Sequence, residues 1–387
     1  MKKILLIVMT MALSLGLLYG CSKKEPVNAP TSDEKVQPQK EPEKKPEDTQ
    51  ETEKEEEQEA VSEEKKQLLA NNIDYLSAEG IQVPEGAVIA MVGKDSKSSY
   101  WKQLKKGAEA AIADLNAALS YTGNKKVQLL YDAPENEDIE EQVDIIDQLL
   151  DKNPTVLCVS FVDSQSGRTQ LELADANGVP VLAMDSGVEN DLIRCDVQTD
   201  NLMAGVEASM RFFAEIGRTG KIAVLVQSET SESGIDRASG VSGAIALQSA
   251  YPGVQLAEVI YMQKDDARTL EEIQRVVSEN PDLTGILATN QKTTEFLLNV
   301  WDEVQPAEGQ EVKLAGFDAG EKILEALENG SLAGTMVQDP YTMGYATVIA
   351  SAREAADMEN AAQVFTDCCW VNLDNLEEAD IQAVIYE

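Results

Sequence analysis

Polar side chains that can hydrogen-bond hydroxyl groups recur in this chain directly after short apolar runs. Lys94-Asp95-Ser96-Lys97-Ser98-Ser99-Tyr100-Trp101 follow the run 87–92, and Asp185-Ser186 follow Met184. Asn290-Gln291 follow Thr289, Asp318 follows Phe317, and Gln338-Asp339 follow Val337. A carboxylate accepts two or more bonds from neighbouring hydroxyls, each charge-assisted bond being worth roughly 1.5–3 kcal/mol net. Asp185 and Asp318 therefore carry the most weight as contacts. Tyr100 and Trp101 offer flat apolar faces that C–H groups can cover while the phenol and indole keep their polar partners. Plainer roles stand beside these: Asp318 as the N-cap of a helix from about residue 321, and one of the two aromatics packed under the first helix, where Leu104 and Ala108 continue an apolar stripe. The chain has no histidine, which removes the commonest general base and metal ligand. A glycosidase would need two carboxylates at a defined separation, but strand-end acids have a role without catalysis. We expect no enzymatic activity, no cofactor and no metal.

The elements that must position these groups alternate. Short β-branched stretches (87–92, 127–131, 156–161 and 179–184) are interleaved with helical periodicity at 100–119, 139–150 and 170–176, up to Thr199-Asp200-Asn201. A second series runs through 204–216, 221–227, 235–250, 255–262, 270–278, 285–289 and 312–317, and finishes near 335–338. Such alternation implies parallel sheets covered by helices. The expected fold is α/β: two doubly wound parallel-sheet lobes joined by a three-segment hinge, crossed near Thr199-Asp200, Gln338-Asp339 and residues 368–370. In doubly wound sheets ligands lie beyond the carboxyl ends of the strands, which is where the polar clusters fall. A ligand held by Asp185, Tyr100 and Trp101 of one lobe and Asn290 of the other, with Asp318 at the same mouth, would favour closure.

The N-terminus is a different kind of sequence. Lys2 and Lys3 precede an apolar run, 4–18, that ends at Gly20-Cys21, the layout of a secretory signal and too short for a comfortable membrane span. Leu18-Tyr19-Gly20-Cys21 resembles the bacterial lipobox, so Cys21 is the expected lipidation site. Residues 22–66 are Pro, Glu, Lys, Gln, Ser and Thr with almost no large apolar side chain, a composition that cannot offset its ordering entropy. We expect a signal peptide at 1–20 and an acidic tether at 21–66. The first lobe is expected to comprise 67–199 with 339–368, and the second 200–338 with 369–387. Lysine and arginine number 32 against 69 aspartate and glutamate, a net charge of -37, which argues against nucleic-acid binding. Cys158, Cys195, Cys368 and Cys369 lack the paired spacing of a zinc site. The adjacent pair 368–369 is read as two strand thiols, with a strained vicinal disulfide as the alternative.

Four further motifs carry a resemblance: Gly178-Val179-Pro180-Val181 ahead of Asp185, Thr199-Asp200-Asn201 with Gly205, Ala315-Gly316-Phe317-Asp318, and Gln338-Asp339-Pro340-Tyr341-Thr342-Met343-Gly344-Tyr345. From residue 87 onward the chain resembles the ribose/galactose-type solute-binding proteins of the type I periplasmic-binding fold. The resemblance implies a monomeric extracytoplasmic lipoprotein that closes on a small polar ligand, a sugar by analogy, and serves an ABC importer. It maps ligand contacts onto Ser98, Tyr100, Trp101, Asp185, Asn290, Asp318 and Gln338. Presentation of the ligand to a sensor kinase or chemoreceptor is the alternative, and a sugar-responsive repressor is disfavoured because no helix-turn-helix precedes the lobes. Two positions depart from the pattern. Ile235 stands where the family often has arginine, while Arg237 matches a more structural arginine, and polar residues at 263–266 replace a second-lobe aromatic. There Asp265 or Asp266 is either a partner for a cationic group or a solvated loop charge.

Overall fold

Strands buried on both faces read as nearly continuous apolar runs, and the structure, a computed structural model describing residues 73–247 and 253–386, winds them into two sheets. The first series is β1 (Val88–Val92), α1 (Ser99–Ala118), β2 (Gln128–Asp132), α2 (Ile139–Leu150), β3 (Val156–Val159), α3 (Arg168–Ala176), β4 (Val181–Met184) and β5 (Ile193–Thr199). The second is α4 (Asn201–Glu215), β6 (Thr219–Val226), α5 (Glu232–Ala246), β7 (Gly253–Tyr261), α6 (Asp266–Glu279), β8 (Leu283–Ala288), α7 (Gln291–Val304), β9 (Lys313–Phe317), α8 (Glu321–Glu328) and β10 (Thr335–Gln338). After these come α9 (Pro340–Ala355), β11 (Gln363–Thr366), β12 (Cys368–Val371) and α10 (Ala379–Gln382).

The strand orders are β11-β5-β4-β3-β1-β2 and β12-β10-β9-β8-β6-β7. The two windings are the same, position for position, and every ladder is parallel except β10 with β12. The chain passes between sheets after β5, after β10 and between β11 and β12. Cys368 begins β12, opposite Gln338, so it belongs to the second sheet, one residue earlier than the boundary expected from sequence. Its neighbour Cys369 sits beside it in the same strand, and both are free thiols; successive strand residues point to opposite faces. Cys158 and Cys195 are buried in the first sheet, the Cys158 thiol against Ser351 Oγ at 2.9 Å and pushed up to about 12 by burial. The reading of the sequence passes over β5, whose Ile193, Cys195, Val197 and Thr199 alternate with Arg194, Asp196 and Gln198. Cys21, the signal segment and the tether lie outside the described residues.

Two pairs of glycines set the helices that carry the site. In the first lobe α1 and α9 meet where Gly107 faces the Tyr341 carbonyl and Gly344 the Leu104 carbonyl. In the second, α4 and α5 meet where Gly205 faces the Arg237 backbone and Gly240 the Leu202 carbonyl. Any Cβ at these four positions would overlap backbone, so the contacts fix how far Tyr100 and Arg237 project over the carboxyl ends of their sheets.

Candidate functional site

The carboxyl ends of both sheets face one cleft of about 660 Å³, within the size range of small-molecule sites. Ser98, Tyr100, Trp101, Asp185, Asn290, Asp318 and Gln338 all line it. Asp185 follows β4 and Asp318 follows β9, the equivalent strands of the two windings. Both carry left-handed backbone, at φ 60° and 70°, a conformation that aspartate tolerates better than most residues. Each amide donates to the neighbouring strand, Asp185 N to Val197 O and Asp318 N to Met336 O. The motifs Asp185-Ser186-Gly187 and Asp318-Ala319-Gly320 are thus one structural device used twice, a repetition visible in the sequence but meaningful only once the sheets are superposed in mind.

The side chains around Asp185 come from the first lobe. Tyr100 Oη donates to Asp185 Oδ1 at 2.7 Å, Ser160 Oγ donates to Oδ2 at 2.8 Å, and Lys94 Nζ lies 3.2 Å from Oδ2. Burial works against ionisation of Asp185, but the Lys94 and Arg237 charges and the two hydroxyls outweigh it and hold the carboxyl below its usual range. Burial, followed by the adjacent carboxylates, drives the Tyr100 phenol well above its usual range. Tyr100 meets Trp101 edge-on at 5.2 Å, and both rings are buried at the cleft wall. Asp95 Oδ1 accepts from the amides of Lys97 and Ser98 at 2.8 and 2.7 Å, turning the chain into α1. Ser98 is the N-cap of that helix, its Oγ accepting from Trp101 N at 3.5 Å.

Asp318 is not the cap of its own following helix, whose N-cap is Gly320. Its Oδ2 instead accepts the first amide of α7, Gln291 N, at 2.8 Å, and its Oδ1 accepts from Gln338 Nε2 at 2.7 Å and Tyr386 Oη at 3.3 Å. Burial keeps its carboxyl above the usual range, against the pull of Arg237, Gln338 and the Gln291 amide. Gln338 ties this carboxylate to the hinge, because its Oε1 accepts from Thr199 Oγ1 at 2.9 Å at the first crossing. Asn290 caps α7: its side chain accepts from Thr293 N at 2.9 Å.

Sequence reasoning took Arg237 as structural and did not name it as a site residue. It is 1% exposed and lines the cleft, whereas Ile235 is 37% exposed and stands outside it. The guanidinium lies 4.6 Å over the Phe317 ring; Nε donates to Asn201 Oδ1 at 2.9 Å and Nη1 to Thr289 O at 2.6 Å. Nη2 is buried without a hydrogen-bond partner among the described residues, so one donor of this cleft-lining guanidinium has no protein acceptor there. Gln227 and Ser233 were passed over as well, and Lys94 and Gln291, noted at their strand ends, were not assigned as contacts although they line the cleft. The acidic stretch 263–266 divides: Asp265 caps α6, accepting from Ala267 N at 3.1 Å, while Asp266 lines the cleft. Met262 and Phe296 supply the second lobe's apolar surface there.

The lobes touch directly across the cleft. Gln291 of the second lobe donates to Ser99 Oγ at 3.1 Å and accepts from Tyr100 N at 3.3 Å, and Lys292 pairs with Glu137 at 2.9 Å. Behind them Ser164 N donates to Thr230 O at 3.1 Å and Ser233 N to Ser186 Oγ at 3.3 Å.

Two similarly wound lobes, three crossings and a cleft at the strand ends define a receptor architecture, and residues 89–357 match the periplasmic binding protein domain. The chain belongs to that family. Members are extracytoplasmic solute-binding proteins, and the curated relatives include the ribose import binding protein of Bacillus subtilis, 22% identical over 75% of this chain and 90% of that protein. The xylitol-binding protein of Mycolicibacterium smegmatis is 25% identical over 57% of this chain and 61% of that one. Among solved structures, a solute-binding protein from Agrobacterium vitis bound to α-D-tagatopyranose superposes with a TM-score of 0.69 at 22% identity, covering 78% of this chain and 99% of that one. Another from Agrobacterium radiobacter, in complex with D-arabinose, gives 0.68 at 24% identity over 77% and 98%. Likeness at this level establishes the shared fold. Among the described residues of this family member, no helix is long and apolar enough to cross a membrane.

Proposed function

We infer that this periplasmic binding protein captures a monosaccharide or related polyol by closure of its two lobes and delivers it to an ABC importer. The observation that carries the reading is the cleft itself: carboxylates at equivalent strand ends of both lobes, aromatic faces from one lobe, and an unspent arginine donor from the other. Its curated relatives are named for import of ribose and D-apiose and for binding xylitol, which favours import over presentation to a sensor. Ser98, Tyr100, Trp101, Asp185, Asn290, Asp318 and Gln338, with Lys94 and Arg237 added, form the proposed ligand shell. Because Asp185 and Asp318 already accept bonds from protein donors, the ligand's acceptor oxygens are the groups best served, by Arg237 Nη2 and Lys94 Nζ.

A thermal-shift screen of pentoses, hexoses, pentitols, inositols, amino sugars and amino acids tests this. A ligand that binds only the folded state stabilises by RT ln(1 + [L]/Kd), about 2.7 kcal/mol at a hundredfold excess over Kd. The expected result is a rise in Tm for one or a few monosaccharides or polyols. A shift with amino acids alone would overturn the sugar assignment, and turnover of glycosides would overturn the non-catalytic one.

We propose that Cys21 is diacylated after cleavage of residues 1–20, which would leave the lobes on an acidic tether at the outer face of the membrane and acting as a monomer. The support is the short apolar segment, the small residue before Cys21 and the polar spacer after it. Growth with labelled palmitate should tag the wild type, and Cys21→Ser should abolish the label. Labelling that survives the substitution would remove the anchor from the proposal.

A further inference from the structure

Behind the ligand cleft the two lobes bring a pair of carboxylates together. Asp196, on β5 of the first lobe, and Glu232, in the first turn of α5 in the second, both approach Gly187. A Cβ at Gly187 would collide with Asp196 Oδ2 and lie 3.0 Å from Glu232 Oε2. Asp196 Oδ1 and Glu232 Oε2 are both buried without a hydrogen-bond partner among the described residues, although the Glu232 carboxyl as a whole accepts from the Gly187 amide across the lobes. Among the described residues no countercharge is dedicated to the pair. Lys94 faces Glu232 but is bound to Asp185 at 3.2 Å, and Arg237 spends its Nε and Nη1 on Asn201 and Thr289. The other charged groups facing the pair are acidic: Asp185 from the end of β4, Glu189 from the following loop, and Asp236 one turn along α5. Two ionised carboxylates so placed repel one another in a medium that screens poorly.

We propose that Asp196 and Glu232 form a proton-operated latch: closing the lobes takes up one proton from solvent onto this pair, which removes the repulsion between two buried carboxylates. Opening separates the acids into water, where both ionise and the proton is released. Consistent with this, burial and then the Glu232 and Asp185 charges push Asp196 up to about 7, and burial with Asp236 raises Glu232 as well. The closed form therefore binds the extra proton between the ordinary carboxylate range and about pH 7, and closure strengthens as pH falls through that window. The latch also connects to the ligand cleft. Gln198 Nε2 donates to Asp196 Oδ2 at 3.0 Å, Asn201 Nδ2 donates to Gln198 Oε1 at 2.9 Å, and Arg237 Nε donates to Asn201 Oδ1 at 2.9 Å. A side chain that touches ligand is thus three hydrogen bonds from the latch.

This inference rests on the reading of the protein as a closing two-lobed receptor but not on the identity of its ligand, so the decisive experiment uses none. Hydrogen exchange by mass spectrometry on the full chain, corrected for intrinsic exchange, reports the interlobe amides of Gly187 and Ser233 at pH 7.5 and 5.5. In the wild type their protection should rise roughly tenfold on going to pH 5.5, the effect of about one proton linked to closure. Asp196→Asn and Glu232→Gln, made separately and confirmed folded by circular dichroism, should each flatten this dependence and exceed the wild type at pH 7.5. Equal wild-type protection at the two pH values, or a dependence unchanged in either folded variant, would overturn the latch. Failure of every monosaccharide in the thermal screen would refute the sugar assignment while leaving this result standing.

Discussion

Replacing Arg237 by methionine should lower the unfolding free energy by about 3–5 kcal/mol, the size expected when one member of a buried charged network is removed. Methionine keeps most of the volume and the contact with Phe317, so cavity formation is not the cause. What is lost is the donor to the Thr289 carbonyl and to Asn201 Oδ1, and the positive charge beside Asp185 and Asp318. Each buried acceptor left unpaired costs about 1–3 kcal/mol. Arg237→Lys should recover only part of this, since a single ammonium cannot reach both partners with the planar fork of a guanidinium. Urea unfolding measures the change as a shift in midpoint at constant m; a loss below about 1 kcal/mol would mean that Arg237 is peripheral to both core and cleft. For any monosaccharide found by the thermal screen, affinity at a concentration of folded Arg237→Met should fall by a factor of about 100 or more, as expected for a charged hydrogen bond lost together with its desolvated setting.

The second large effect belongs to Asp185. The sequence presents it as a ligand contact, and the structure adds a second duty as the acceptor for Lys94, Tyr100 and Ser160. Asp185→Asn should therefore destabilise the protein by about 3–5 kcal/mol at pH 7, because Lys94 is left as a buried ammonium without its countercharge. The effect has a pH signature. The folded-state pKa lies below the ordinary carboxylate value, so this group's stabilisation is fully present above about pH 4 and is lost as pH falls through the folded pKa. The difference between wild type and Asp185→Asn, followed by thermal or urea unfolding, should be largest between about pH 5 and 7 and shrink towards pH 3. A difference of the same size at pH 3 and 7 would show that no ion pair with Lys94 contributes. Asp318 should behave oppositely, since its carboxyl is held above the usual range: its ionisation opposes folding as pH rises from the ordinary carboxylate range.

Much of the architecture was legible because it depends on local pattern. The runs that became β1, β3 and β4 are apolar on both faces, as parallel strands require, and the helices between them carry period-3.6 stripes. The positions of Asp185, Asp318 and Gln338 could be anticipated because polar residues directly after such strands fall on the ligand side of a doubly wound sheet. β5 escaped because no helix separates it from β4, so an expected strand–helix alternation passes over it, although its own polar and apolar alternation was present in the residues.

What the sequence by itself determined is the fold class, the two windings and the edge of each sheet on which a site must lie, since these follow from periodicity and from polar residues at strand ends. Which side chains meet there was decided by the tertiary structure. Nothing local distinguishes Arg237 from a helix-surface arginine: Gly205 and Gly240 must first bring α4 against α5 before the guanidinium can reach Thr289 and Phe317. Tyr386 reaches Asp318 from 68 residues further along the chain, and Asp196 meets Glu232 only because one crossing of the hinge puts them in facing lobes. Hydrogen bonds and charge repulsion act over a few ångströms of space, whereas sequence patterns report only neighbours along the chain, so the electrostatics of this cleft became readable when the two lobes were set face to face.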